Sequence, residues 1–338
     1  VSSGLRTAFG VLLSLAAIAV TIPLAAGFLG NVHPFFDSLA HFRAHLAAVA
    51  LVTGLLAIAV AVRGWRIGGA VAILFALAAG WTVYPYVVGT GGAHASQGGA
   101  TYTLLQMNVY YRANLDEAVA RIREIDPDFV TLEEVTGEGV ARFAALDATY
   151  PHQRVCKYDG GYPGQMILSR HPFVDGAGAC IRKLGFLSAP VELDGTPVTL
   201  VAQHLGWPWP KGQWSMLEEL EGTLGDLDLP VVVGGDFNAT PWSASVQRYA
   251  ALSGTAPVTG IGATWMHGRL IDVVPRWAGL PIDNVLVSPG VDIVSRAVAA
   301  ATPSDHLPVV VGFRINDSLG LARRLTEDAL GCRSGATC

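Results

Sequence analysis

The chain reads as an α/β protein: a four-layer α/β sandwich, two mixed sheets flanked by helices, preceded by three transmembrane helices. Three observations predict this. Charge is almost absent before Thr90 and ordinary afterwards. Long uncharged stretches fill the apolar part, each long enough for a membrane helix. From Thr101 onward, short strand patterns alternate with helix patterns, and a tight hairpin lies among them.

Of 338 residues, 51% are hydrophobic and 14% charged, against about 25% charged in ordinary soluble domains. Of 22 basic and 27 acidic residues, only Arg6, Arg43, Arg63, Arg66 and Asp37 precede Thr90. The remainder therefore carries 18 basic and 26 acidic residues, a net charge of −8. Such a balance lacks the basic footprint of a nucleic-acid binder, although bound metal supplies that charge in acidic nucleases. The expected organisation is a membrane anchor over 1–89, a flexible linker over 90–100, a catalytic domain over 101–315, and a C-terminal helix and tail over 316–338.

The uncharged stretches are Thr7–Gly30, Ala44–Val62 and Ile67–Val88. Soluble helices of this length carry a polar face, and these do not. Arg6 before an apolar run also suits a signal peptide, but the run is long and no clear small-x-small site precedes a mature start, so a retained helix is expected. Arg63-Gly64-Trp65-Arg66 holds two arginines and no acid, which places this connection in the cytoplasm. Three crossings then carry Thr90 outside, so the catalytic domain is expected on the extracytoplasmic face of the cell membrane. Gly89–Ala100, with five glycines, reads as a flexible tether. Four cysteines suit an oxidising compartment. Cys156 and Cys180 lie in strands expected to be neighbours and would pair, leaving Cys332 for Cys338; four free thiols is the alternative.

Within the catalytic domain, Tyr102–Val109 alternates with a period of two and reads as a strand. Leu115, Ala118, Val119 and Ile122 mark a helix face after an Asn114 cap, and Pro127 ends it. Phe129–Val135 is a second strand, followed by short strands at Gln153–Lys157, Gln165–Ser169 and Ala179–Lys183. Pro190–Leu193 and Pro197–His204 form a hairpin around Asp194-Gly195. Trp214, Leu217, Leu220 and Leu224 mark a further helix. Buried strands follow at Pro230–Gly234, Ile282–Val287 and Leu307–Phe313.

Polar groups interrupt these apolar strands at their ends. Val231-Val232-Val233 runs into Gly234-Gly235-Asp236-Phe237-Asn238, and ligands of α/β folds gather at such strand ends. The same happens at Asn108, Glu134, His204, Asp283 and the Ser304-Asp305-His306 run. One such event suits a cap or turn; six, all Asn, Asp, Glu or His, point to a site. In this order the set resembles the endonuclease/exonuclease/phosphatase superfamily across about 101–315. The carrying motifs are Leu105-Gln106-Met107-Asn108, Leu132-Glu133-Glu134-Val135, Gln203-His204-Leu205, Gly235-Asp236-Phe237-Asn238, Ile282-Asp283-Asn284-Val285 and Ser304-Asp305-His306. Glu133 stands where the family often has Gln, and is expected to face away from Glu134.

The resemblance implies a hydrolase of phosphoesters, magnesium-dependent with manganese possible. It implies Glu134 as a metal ligand with Asn108 and Asp305 close by. Asp236 would orient or deprotonate the attacking water and Asn238 would fix it. His204 and His306 would donate to phosphoryl oxygens, with Asp283 holding His306; Asp272 is the competitor for that last role. Two features lie beyond the motifs. Trp207-Pro208-Trp209-Pro210 forms a stiff aromatic loop, read either as packing or as a lip toward the membrane interface. His33, Asp37, His41 and His45 recur every four residues, which suits a polar juxtamembrane face better than a metal site. The expected partners are the lipid bilayer and a lipid or small molecule bearing phosphate, most plausibly a lipid-linked phosphate or pyrophosphate of the envelope. A membrane-tethered nuclease is the alternative, and a monomer is expected.

Overall fold

Without a charge to hydrate, the N-terminal stretches satisfy their backbone internally as helices: α1 (Ser3–Ala26), α3 (Arg43–Val60) and α4 (Arg66–Tyr84). With their flanks, Gly4–Leu29, Arg43–Val60 and Arg66–Val88 are long and apolar enough to cross a membrane. Ala17, Ala50, Ala72 and Ala79 are buried where the helices meet. A Cβ on Gly54 would lie 2.7 Å from the Gly69 carbonyl oxygen, so these small residues allow the close approach of α3 and α4. Between α1 and α3 lies a short helix, α2 (Pro34–Ala40), with Pro at its first position and His33 Nδ1 accepting from Phe35 N.

The computed structural model describes residues 3–61, 63–89, 100–157, 163–193, 195–271 and 273–316. The expected tether, Asp194, Asp272, the two C-terminal cysteines and the expected C-terminal helix lie outside these residues. After the anchor come β1 (Tyr102–Asn108), α5 (Asp116–Ile125), β2 (Phe129–Val135), α6 (Gly137–Phe143), β3 (His152–Cys156), β4 (Gly164–Ser169), β5 (Cys180–Ile181), β6 (Phe186–Leu193) and β7 (Thr196–His204). A distorted turn, α7 (Pro208–Lys211), leads to α8 (Gln213–Gly225), β8 (Val231–Asp236), α9 (Ala244–Ser253), β9 (Ala256–Pro257), β10 (Asp283–Val287), β11 (Val291–Val298) and β12 (Val309–Ile315).

The strands form two six-stranded sheets, β11-β12-β1-β2-β4-β3 and β5-β6-β7-β8-β10-β9. Both are mixed: β1 runs parallel to β2 and β7 parallel to β8, and the other pairings are antiparallel. Leu104, Phe129, Ile167 and Phe313 of one sheet meet Leu200, Ala202, Val232 and Val285 of the other in a buried core. Helices α5 and α6 cover the outer face of the first sheet, through Val119, Ile122 and Phe143. Helices α8 and α9 cover the second, through Leu217, Leu220, Val246 and Tyr249. This is the expected four-layer arrangement.

Some elements differ from the sequence reading. Helices α6 and α9 and strand β11 were not expected. β11 is a partly exposed edge strand, and its period-two burial is too shallow to stand out. Strand β5 covers only Cys180–Ile181 before a 3-10 turn at Arg182–Leu184. Cys156 and Cys180 are bonded, with Cα atoms 5.5 Å apart. They are not neighbours in one sheet, however: β3 and β5 are edge strands of different sheets, so the disulfide ties the two sheets together.

Candidate active site

Strand parity explains where the polar residues meet. On β1, Leu104 points into the space between the sheets, so Gln106 and Asn108 do too. By the same alternation His204 follows Leu200 and Ala202 on β7, and Asp236 follows Val232 on β8. Asp283 precedes Val285 on β10, antiparallel to β8 and in register with Asp236. The ends of β1, β7 and β8 and the start of β10 thus deliver their polar residues to one end of the sandwich. Gly234 permits this closeness, since a Cβ there would lie 2.5 Å from Thr131 Oγ1 of the facing sheet.

Glu134 would point toward the helices in a regular β2. A bulge between Leu132 and Val135 changes that, placing three steps of β2 against two of β4. Glu134 adopts φ 60° there, and its carboxylate accepts from Asn108 Nδ2 (3.4 Å) and Tyr111 N (3.1 Å). Glu133 faces the inter-sheet space, fully buried, and accepts from Gln106 Nε2 (2.8 Å). The two side chains therefore differ in direction, as expected, yet both serve the catalytic end. Tyr110 (φ 52°) and Asn238 (φ 47°) are also left-handed. Non-glycine backbone of this kind gathers where function over-determines the structure.

Asp236 lies at the centre. Its carboxylate accepts from Asn108 Nδ2 (2.9 Å), Asn238 N (2.8 Å) and Asn238 Nδ2 (3.2 Å). His204 Nε2 and His306 Nε2 stand 3.6 and 3.8 Å from its Oδ2. Burial pushes the Asp236 carboxyl up to about 6, against the opposing pull of His306. His306 Nδ1 bonds Asp283 Oδ2 at 2.8 Å. Burial would lower His306, but the carboxylates of Asp283 and Asp236 outweigh it and lift the imidazole to about 10. At neutral pH the site therefore holds a cationic His306 beside an ionised Asp236. The Asp283–His306 pairing fills the role expected of it; the competitor Asp272 lies outside the described residues.

Several supporting residues had no expected role. Gln106 Nε2 also donates to Asp283 Oδ1 (3.1 Å), linking Glu133 to the His306 partner. Asp283 N donates to Thr264 Oγ1 (3.1 Å). Ser304 Oγ donates to the Asn108 carbonyl (2.8 Å) and accepts from His306 N (3.1 Å). The Trp265 indole donates to Asp305 Oδ2 (3.0 Å). Gln106 was within reach of period-two reasoning, two residues before Asn108 on the same face. Trp265 has no periodic context, since its backbone pairs through isolated bridges to Leu280 and His306 rather than within a strand.

Asp236, Asp283 and His306 bring three ligand atoms within 4.8 Å of one another. Within this trio His306 Nδ1 is already paired with Asp283 Oδ2 at 2.8 Å, an arrangement that suits the orienting of a proton donor. The donor chemistry at Glu134 fits a metal better. Its half-buried carboxylate lies beside the Asn108 amide, and hard oxygen donors of this kind suit magnesium or manganese. Asp305 has a different immediate neighbour, Trp265.

The aromatic loop and the juxtamembrane residues meet each other. Trp207 packs edge-on against His41 at 4.5 Å between ring centroids, and Trp209 against Phe35 at 5.4 Å. Asp37 accepts from Ala244 N (2.7 Å), Ser245 N (3.0 Å) and Ser245 Oγ, capping α9. The Trp242 indole donates to Ala40 O (2.7 Å), and His45 Nε2 bonds Ala278 O (2.8 Å). Through Asp37 and His45 the polar face expected to approach headgroups is therefore a dock for the catalytic domain, with His41 buried beneath Trp207.

Two mixed sheets carrying an Asp–His pair, a buried Asp and an Asn–Glu pair at one end define a phosphoesterase fold and site. The chain belongs to the endonuclease/exonuclease/phosphatase family, whose family model matches residues 105–306. Members of that family are hydrolases acting on phosphoester bonds, and divalent metals are common among them. Among solved structures, the chain is similar to an endonuclease/exonuclease/phosphatase from Beutenbergia cavernae at 25% identity and TM-score 0.53, covering 64% of this chain and 72% of that one. It is also similar to D. rerio TDP2 complexed with single strand DNA product, at 18% identity and TM-score 0.51, covering 64% and 99%. An AP endonuclease from Archaeoglobus fulgidus aligns at 19% identity and TM-score 0.51, covering 62% of this chain and 98% of that one. These last two likenesses speak for the fold alone. No curated protein matches the chain.

Proposed function

We propose that the chain is a membrane-anchored, divalent-metal-dependent phosphoesterase acting outside the cytoplasm on a lipid-linked phosphate or pyrophosphate. In this reading 1–89 is the anchor, 90–100 the linker and 101–315 the catalytic domain. Glu134 holds the magnesium ion, with Asn108 and Asp305 beside it. The ion, when bound, neutralises phosphoryl charge. Asp236 takes the proton of the attacking water, and Asn238, bonded to Asp236 and to Leu205 O, holds that water in line. His306 donates to a phosphoryl oxygen and stabilises charge developing there, steadied by Asp283; His204 donates from the other side of Asp236. The water oxygen bonds phosphorus as the leaving oxygen departs.

The observation that carries the lipid reading is the dock between the catalytic domain and α2. It fixes the site beside the ends of the apolar helices, where a phosphate on a membrane lipid is within reach. The orientation rests on the arginines of Arg63–Arg66 and is supported by the Cys156–Cys180 disulfide. The test is phosphate or headgroup release by the full chain in lipid nanodiscs from phospholipid, prenyl pyrophosphate and DNA. Lipid turnover that EDTA abolishes, that magnesium restores and that Asp236→Ala lacks is the expected result. Cleavage of DNA alone would replace this reading with the tethered nuclease.

A further inference from the structure

We infer that the segment bearing Leu270, Val273 and Trp277, between the catalytic core and the membrane helices, is a lip that enters the bilayer interface beside the active site through those three side chains. The inference rests on the membrane-anchored reading above and deepens it. Three apolar side chains of this segment face outward: Leu270 is 47% exposed, Val273 77% and Trp277 81%. Arg269, also exposed, stands at its start, and Arg276 precedes the tryptophan. Apolar residues with a tryptophan and flanking arginines match the chemistry of an interfacial membrane contact.

Its height relative to the membrane helices can be read from hydrogen bonds. Arg43 Nη1 donates to Thr82 Oγ1 (3.3 Å), setting the start of α3 level with the end of α4. His45 lies two residues farther along α3, about 3 Å deeper at 1.5 Å per residue. Ala278 O is bonded to His45 Nε2, and Trp277 is the residue before it. Trp277 is thereby brought beside the outer end of α3, and Trp81, 83% exposed, lies beside Thr82 near the outer end of α4. Outward tryptophans near the ends of membrane helices suit an aromatic belt. In water the exposed Leu270, Val273 and Trp277 would be unfavourable; a leaflet around the helix ends would cover them.

The same end of the segment also reaches the chemistry. Arg276 Nη1 donates to Asp305 O (3.5 Å), and Trp265, which holds Asp305 Oδ2, pairs with Leu280 just beyond the segment. The lip therefore joins the leaflet to the loop carrying Asp305 and His306. It sets the mouth of the site at headgroup height and suits a phosphate whose hydrocarbon chain stays in the leaflet.

The experiment uses the full chain with Cys332→Ser and Cys338→Ser, in phosphatidylcholine nanodiscs, labelled with an NBD fluorophore at Val273→Cys or, separately, at Leu77→Cys. Leu77 is an outward residue of α4, 60% exposed, and reports the anchor alone. Both labels should be quenched by lipids carrying a doxyl group high on the acyl chain and protected from aqueous iodide. Iodide quenching at Val273→Cys with doxyl quenching kept at Leu77→Cys overturns the lip and leaves the anchor standing. Loss of doxyl quenching at both overturns both. A Val273→Asp/Trp277→Asp variant should hydrolyse bis(p-nitrophenyl) phosphate as the parent does, yet turn over disc-embedded phospholipid about tenfold more slowly. Equal effects on the two substrates would also overturn the lip. A parent enzyme that cleaves the nitrophenyl ester and no lipid refutes the substrate reading instead, and fluorescence then decides the lip.

Discussion

At the scale of single residues, Glu133 and Asp283 make opposite predictions although both are buried carboxyls bonded to Gln106. Burial holds the Glu133 carboxyl well above the usual carboxylate range, against the hydrogen bond from Gln106. Glu133→Gln keeps an oxygen to accept that bond and removes a group that is costly to ionise, so activity should stay within about twofold. Asp283→Asn removes the charge that keeps His306 protonated, and turnover should fall about 10²- to 10⁴-fold. Initial rates on bis(p-nitrophenyl) phosphate, with folding checked by circular dichroism, decide both. Equal loss from the two would refute the division of roles. Asn108, Glu134, His204, Asp236, Asp283 and His306 were legible in the sequence because a polar residue ending an apolar strand is conspicuous. The aim of Glu134 was not, because it depends on a bulge that only pairing with β4 creates. Trp265 gave no signal, since it lies outside any strand and its contact to Asp305 spans 40 residues.

At the scale of elements, two predictions concern joints between parts. Cys156 and Cys180 close 24 residues and bridge the two sheets, and closing such a loop stabilises by about 3 kcal/mol. A Cys156→Ala/Cys180→Ala variant should unfold at lower temperature and keep the rate of the folded enzyme, since neither cysteine touches the site. A rate loss without a stability loss would contradict this. The second joint is α2. His41 is fully buried under Trp207, and burial, then the charge of Arg43, lowers its imidazole to about 3. Below about pH 6.5 an undocked helix takes a proton that the docked one refuses, so docking is intact above 6.5 and weakens as pH falls toward 3. Between pH 7.5 and 5 the loss is about 2 kcal/mol. Amide exchange of residues 34–42, corrected for intrinsic rates, should rise accordingly in the parent and not in His41→Leu; equal protection at both pH values in the parent would refute it. The four-residue spacing of His33, Asp37, His41 and His45 suggested one helix face, but the helix breaks after Ala40: His33 and His41 cap α2, and His45 lies on α3. The docking partner was not visible, because Asp37 meets Ala244 across 207 positions. For the same reason β1, β2 and β8 were readable from local alternation, whereas the separate sheets of β3 and β5 were not.

At the scale of the whole molecule, the dock fixes which end of the helix bundle carries the catalytic domain. Arg43, Thr82 and α2 lie at the docked end. The Arg63–Arg66 turn, joining the far ends of α3 and α4, lies at the other. Short connections rich in arginine stay in the cytoplasm, so the proposed topology puts the positive turn and the active site on opposite sides of the membrane. Alkaline phosphatase, which folds only where disulfides form, should therefore be active when fused after Asn316, and a fluorescent protein that matures only in the cytoplasm should stay dark there. Fusion after Asn316 preserves β12, which ends at Ile315. Exchanging Arg63 and Arg66 for Glu removes the orienting charge, so the phosphatase signal should drop while the chain stays in the membrane fraction. A dark phosphatase fusion beside a bright fluorescent one in the parent would reverse the topology. It would also leave the Cys156–Cys180 pair in a reducing compartment, so trapping its thiols in the same cells gives an independent reading. Reduced cysteines with an active phosphatase fusion would mean that the fusion, not the native chain, sets the orientation.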